Sequence, residues 1–424
     1  MKKVMALLLA CALCVTALAG CNSSKASPEK VVTINFPTSW VGVHPLAGWF
    51  KDRMEAFNEQ YKGKYELVTE EIPGDQNYVN KMKVLFASQS LPDVIATGGY
   101  NLIDTMKSQF VDLSSYVNED ADWKAHISEL GLNVNTRDGK LYGIPYTKQV
   151  IGYFYNKTLF QEAGIDKPAQ TWDEFFTQLD MLKASGITPL SMDTADSGWV
   201  TSLMMCAMVA GNDAGETFMN TVQPTDYNTP EFIAAATNIQ KMFENYTTSN
   251  AIGGNYDNAA SNFFASNTAI LANGPWMVGN FYDTAMAPAD FVDNVAVAQY
   301  PGGVMYNAGE IGFNVAAKTP EEIDAAIAFV KFMTTDESQK VFLETSGGIP
   351  DSTTITADSK VKPLVTDTIK LANDSTRRIN DFQSLWYANV VDEISVQYPL
   401  LAQGTITPTQ FASALTAAAQ KNSN

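Results

Sequence analysis

Short apolar runs alternate with longer stretches of helical periodicity along most of this chain, and that alternation constrains its fold more than any other feature. The segment VVTINFPTSW (31–40) reads as an opening strand, and after it Phe50, Met54 and Phe57 recur on one helical face. YELVTEEI reads as a second strand, YVNKMKVLFASQS as a helix, and LPDVIATGGYN as a third strand that breaks at Gly98 and Gly99. Strands joined in turn by helices predict an α/β fold, with mostly parallel sheets, right-handed connections and flanking helices.

The pattern resumes after a turn at Asp138 and Gly139, with KLYGIPY extended and QVIGYFYN a strand. Thr171 followed three positions on by Glu174 predicts a capped helix whose Phe175, Leu179 and Leu182 share one stripe, and Gly186 stops it. DNVAVAQYPGG and EIGFNVAAK read as strands. Thr319 and Pro320 open the first of two capped helices, and the C-terminal stretch around SLWYANVVDEISVQYPLL is helical.

The first twenty residues read as a targeting segment. Lys2 and Lys3 precede an apolar run of about sixteen residues, short of the roughly 20 that a membrane span needs. The run closes with LAGC, whose Cys21 stands where a bacterial lipobox places the thiol that is diacylated; the alternative is an ordinary signal peptide with an incidental cysteine. Residues 21–29 (CNSSKASPE) then read as a flexible tether. What remains is too long for one compact core and predicts two lobes. Of the four cysteines, only Cys21 and Cys206 survive processing, and Cys206 sits in a wholly apolar stretch, so no intramolecular disulfide is expected.

The formal net charge is −18, and losing Lys2 and Lys3 makes the mature chain more negative still. That balance opposes binding to nucleic acid or to an anionic membrane surface, and fits an uncharged or cationic ligand. Only His44 and His126 are present and there is no spaced calcium loop, so neither a metal site nor a cofactor is expected.

One stretch points to a binding site. In AILANGPWMVGN (269–280) a short buried strand is broken by Gly274, and Pro275 has the fixed φ for a first helical turn. Trp276 is thereby set on the rim of a sheet, where α/β folds bind small ligands. Packing is the other fate of such a ring.

The lipobox, LPDVIA, GKLYGIPY with YFYNK, TWDEF, NGPWMVGN, TTDESQKVF, GGIP and SLWYANV occur in one order. In that order they resemble the bacterial extracellular solute-binding proteins of ABC transporters, the sugar-binding family 1 of the maltose-binding type. The resemblance covers nearly all of the mature chain. It implies a two-lobed periplasmic-binding-protein-like fold of type II, with ligand in the cleft between lobes. It places the crossings near 146–150, 298–302 and 334–336. One lobe is then 30–147 with 300–334, and the other 148–299 with 335–424.

The resemblance also implies site residues. Trp276 and Trp386 occupy the places of tryptophans that stack on sugar. Gln149 stands where the family has a binding glutamate, and an amide still donates and accepts. The family has an aromatic at the place of Thr97 and a carboxylate at that of Tyr100, so the chain departs at both. Position along the chain adds Trp40, Tyr100, Asn101, Tyr146, Trp199 and Glu310 as candidates for the cleft, each with packing or solvation as its alternative. Arg377 and Arg378 could meet a carboxylated ligand, but a surface pair is the simpler reading.

The function implied is a lipid-anchored receptor on the extracytoplasmic face of the membrane, a monomer that closes on a sugar or oligosaccharide and passes it to the transmembrane subunits of an ABC permease. No catalytic residue is expected. The alternatives are a secreted glycoside hydrolase, which needs two carboxyl groups about 5–5.5 Å apart, or the same fold with a polyamine or peptide ligand.

Overall fold

A computed structural model of the protein describes residues 31–42, 44–96 and 100–422. Cys21, the leader, the tether and the positions Thr97, Gly98 and Gly99 lie outside the described residues.

The longest strand, Thr147–Asn156, organises the molecule. It alternates little and is buried almost throughout, which suits a strand covered on both faces. Lys148 to Ile151 pair with the strand Val304–Gly309, and Gly152 to Asn156 pair with Thr268–Asn273 and Val295–Ala298. Every one of these ladders is antiparallel, as is the short pairing with Ile349–Pro350. Among the described residues, parallel ladders join Val32–Asn35 with Tyr65–Val68, Thr188–Ser191 with Thr268–Asn273, and Val304–Gly309 with Arg377–Ile379, besides single parallel bridges at Thr38–Glu71 and Leu190–Thr247. The expectation of mostly parallel sheets is therefore corrected: the chain returns through the middle of the sheet against its neighbours, and helices still cover the faces.

Two apolar cores form around this strand. The first gathers Ile34, Phe36, Phe50, Phe57, Val94, Tyr146, Phe313, Phe329 and Phe342, with an adjoining cluster around Tyr78, Met82, Ile103 and Ile311. The second runs from Val150 through Tyr306 and resumes at Leu343, continuing to Ala419. Two changes of core fall later than expected. Ala298, Tyr300 and Val304 to Tyr306 all pack in the second core, so the chain changes sides between Tyr306 and Ile311 instead of at 298–302. The helix Asp336–Ser346 stays with the first core because Trp49 donates its indole N–H to the Ser338 carbonyl (3.3 Å) and lies 4.7 Å from the Phe342 ring. That moves the last change to Phe342 and Leu343.

Local signals set the helices. Thr171 and Glu174 form the expected reciprocal cap of Trp172–Ala184, with Phe175, Leu179 and Leu182 buried. Thr319 and Glu322 do the same for Pro320–Met333. Cys206 is buried in the second core, and no helix of the described residues is long and apolar enough to cross a membrane.

Candidate functional site

Strand Thr268–Asn273 is buried along its whole length and ends at Gly274, where a Cβ would lie 2.2 Å from the Trp276 ring. Only glycine lets that indole fold back over the strand end. Trp276 follows in the short turn Pro275–Met277 and is half-buried. Its ring centroid is 5.9 Å from that of Trp199, which in turn is 5.9 Å from Tyr256, so three half-buried rings form one group. Trp199 opens the helix Trp199–Val209, whose first N–H groups are satisfied from outside: the Asp193 carboxylate accepts from Val200 (3.3 Å) and Thr201 (3.0 Å). The chain reaches that helix through Gly198 at φ 49°, where a Cβ would lie 2.6 Å from the Tyr398 ring. Asn273 donates to the Tyr256 hydroxyl at 3.3 Å, and burial pushes that phenol up to about 12 despite this bond and one to Trp276.

Deeper in, polar groups meet without enough partners. Gln149 faces out of the long strand opposite Ala308, and Glu310 follows the strand that carries Ala308. The Gln149 amide nitrogen is 3.5 Å from Asp381 and also hydrogen-bonds Glu310. All three side chains are buried. Burial pushes Glu310 up to about 8, and the like charges of Asp381, Asp351 and Asp75 add to the rise. Asp381 is raised to about 7 by burial, against the pull of the Gln383 and Phe382 backbone N–H groups. Gln149 Oε1 and Asp381 Oδ1 have no hydrogen-bond partner among the described residues.

The opposite wall belongs to the first core. Asp75 opens the helix Asp75–Ala87; burial pushes its carboxyl up, but bonds from His44 and from Ser39 (2.6 Å) outweigh that and hold it below the usual range. Its side chain keeps 47 % of its surface open. Its charge adds to the upward push on both Glu310 and Tyr256. Further along, the two walls touch. Asn101 donates its backbone N–H to the Gln383 carbonyl (3.1 Å), and Lys83 pairs with Asp392 (3.1 Å). Tyr100, Asn101 and Gln383 line the crevice there, which has room for little more than a water molecule.

Of the residues expected in the cleft, the structure brings Trp276 with Trp199, Gln149 with Glu310, and Tyr100 with Asn101. Three expectations are corrected. Trp386 is fully buried, ringed by Tyr227 (4.9 Å), Phe382 (5.5 Å), Phe232 (6.1 Å) and Phe218 (6.2 Å), so neither indole face is free. Trp40 is 3 % exposed and packs on Phe36, Trp49, Tyr146 and Phe313. Tyr146 stacks on Trp49 at 5.9 Å and is 1 % exposed. In each case a neighbouring ring offers better burial than the cleft. Arg377 pairs with Asp213 (2.8 Å) and Glu216 (2.7 Å), away from the acid group. Sequence reasoning missed Asp381, Tyr256, Gln383 and Asp75. Tyr256 had one signal, the Asn255–Asn258 cap that starts its helix beside Gly253 and Gly254.

Residues 44–340 match the family model of the bacterial extracellular solute-binding protein. The multiple sugar-binding protein of Streptococcus mutans is 26 % identical over 349 residues, 78 % of each chain. A solved chitin oligosaccharide binding protein superposes with a TM-score of 0.82 at 20 % identity, covering 92 % of this chain and 98 % of the other. A Streptococcus pneumoniae solute-binding protein in complex with the blood group A-trisaccharide gives 0.79 at 20 % identity, covering 91 % and 98 %. These likenesses confirm the two-lobed α/β architecture, and the family is one of binding proteins, not enzymes. With two cores between which the chain crosses three times and a family model matched over residues 44–340, the chain belongs to the bacterial extracellular solute-binding proteins.

Proposed function

We propose that the chain captures a carbohydrate outside the cell and delivers it to the transmembrane subunits of an ABC importer. The observations that carry this reading are the group of half-buried rings, Trp199, Tyr256 and Trp276, and the buried Gln149 and Asp381 oxygens that have no partner. Sugar rings lie on flat aromatic faces, and sugar hydroxyls supply the donors that buried acceptors need. The relatives described above carry multiple sugars, chitin oligosaccharide and a blood-group trisaccharide in their names, which fits.

The two cores act as lobes, the first built from about 30–147 with 311–342 and the second from about 148–306 with 343–422. The contacts of Asn101 with Gln383 and of Lys83 with Asp392 hold them closed. Ligand enters the open form, touches both walls and so favours closure. Cys21 carries the lipid, residues 21–29 form the tether, and the receptor works as a monomer at the extracytoplasmic face of the membrane.

A thermal-shift screen of mono- and oligosaccharides tests this. Binding is expected to raise the melting temperature, and the sugar is recovered intact. Turnover of the sugar, or no response to any saccharide, overturns the reading.

A further inference from the structure

Three of the buried side-chain oxygens without a partner lie on Gln149, Asn101 and Asp381. The amide nitrogen of Gln149 points at Glu310 and Asp381, which leaves its Oε1 free of partners. The amide nitrogen of Asn101 is held by Asp104 at 2.5 Å, which likewise leaves Asn101 Oδ1 without one. Asp381 Oδ1 is the third. Both amides are fixed by their donor ends, so neither can turn to offer N–H to a ligand without losing a bond. Gln149 and Asp381 are at least nine-tenths buried, as is Asn101.

The charges that act on Glu310 have one sign, whereas Asn101 is held by an Asp104 that pairs with Arg137 (2.9 Å). Those that act on Glu310 are the carboxylates Asp381, Asp351 and Asp75. Basic groups near the cleft act elsewhere: Lys148 on Asp351, His44 on Asp75, and Lys83 in its pair with Asp392. No ion pair involves Glu310 or Asp381 among the described residues. A buried charge is ordinarily paired, and for these two carboxyls the protein supplies the Gln149 amide and, at Asp381, backbone N–H groups, but no cation.

We propose that the ligand supplies it: the sugar bound here carries a protonated amine, as a 2-amino-2-deoxyhexose does, and presents that ammonium to Glu310, Asp381 and the Gln149 carbonyl. This rests on the carbohydrate reading and narrows it. An ammonium brings three N–H donors and a positive charge to a set of acceptors and carboxylates. A hydroxyl at the same carbon brings one donor and no charge, and an acetamide one N–H and an added acceptor. The nearby rings of Trp199, Tyr256 and Trp276 suit the same ligand, since aromatic faces attract both sugar C–H groups and cations.

The test is a calorimetric and thermal-shift comparison of matched triads: glucose, glucosamine and N-acetylglucosamine, the galacto series, and their oligomers, with spermidine as a sugar-free amine. The amino member of a triad is expected to bind at least tenfold tighter than its hydroxy and acetamido partners near neutral pH. Glu310→Gln or Asp381→Asn should abolish that preference while the unliganded variant melts no lower than the parent, since a buried unpaired charge is gone. Tighter binding of a neutral member overturns the amine proposal and leaves the carbohydrate reading intact. Spermidine binding as tightly as any amino sugar overturns the carbohydrate reading and keeps the amine. Silence from every compound overturns both. A preference that survives both substitutions removes the assignment to these carboxyls.

Discussion

Trp276 and Trp199 face each other with ring centroids 5.9 Å apart and planes inclined by 50°, although 77 positions in the chain separate the two residue numbers. Together with Tyr256 they form an angled group rather than a stack, and each ring stays only half-buried. Trp276→Ala is expected to weaken sugar binding by about 2 kcal/mol or more, as loss of an aromatic anchor does at a recognition site. The unliganded protein should remain folded. Calorimetric titration measures the first and circular dichroism the second; unchanged affinity would return Trp276 to a packing role.

Trp386 behaves in the opposite way. Its ring fills the second core among Tyr227, Phe232 and Phe382, so Trp386→Ala should cost about 3–5 kcal/mol of stability through cavity formation. Denaturant titration reads this directly. If stability holds and affinity collapses instead, the indole is a ligand group after all.

The buried carboxyls predict a slope of stability with pH. Glu310 is raised from 4.5 to about 8 and Asp381 from 3.8 to about 7. The folded state therefore binds more protons than the unfolded one between about pH 4 and 8, and stability falls as pH rises through that window. Melting temperatures of the unliganded protein at pH 5, 6, 7 and 8 should decline, and Glu310→Gln should flatten part of the decline. A rise over the same range contradicts the burial of these groups.

The closing contact between Lys83 and Asp392 is open to solvent, with side chains 32 % and 56 % exposed. Such pairs contribute about 0–1 kcal/mol, so Lys83→Ala should weaken ligand binding by no more than about fivefold. Small-angle scattering without ligand should show the variant more open. A larger loss of affinity would mean that Lys83 touches the ligand.

For the anchor, Cys21→Ser is expected to release the protein from the membrane fraction of the producing cell into the medium. Fractionation with antibody detection checks this, and retention in the membrane would point to an uncleaved leader.

Much of this fold was legible because its signals are local. The Thr171–Glu174 cap, the stop at Gly186 and the turn at Pro275 each depend on residues a few positions apart. The orientation of the strands was not legible, since Thr147–Asn156 looks the same as sequence whether its neighbours run with it or against it. The site divides in the same way. Trp276 and Trp386 carry equal weight in a motif comparison, and only the rings packed around Trp386 tell them apart. Asp381 escaped notice because its partner Gln149 is 232 residues away, and because the nearby Arg377 offered a more obvious neighbour that the structure gives instead to Asp213 and Glu216.

Tyr146 packs in the first core and Val150 in the second, and the chain crosses between the cores twice more, between Tyr306 and Ile311 and at Phe342 and Leu343. Each half is therefore built from two separate stretches of chain, and neither can come apart without freeing ends that the other half holds together. Heat should therefore undo the molecule in a single cooperative step, with equal calorimetric and van't Hoff enthalpies, even though it bends in two when it works.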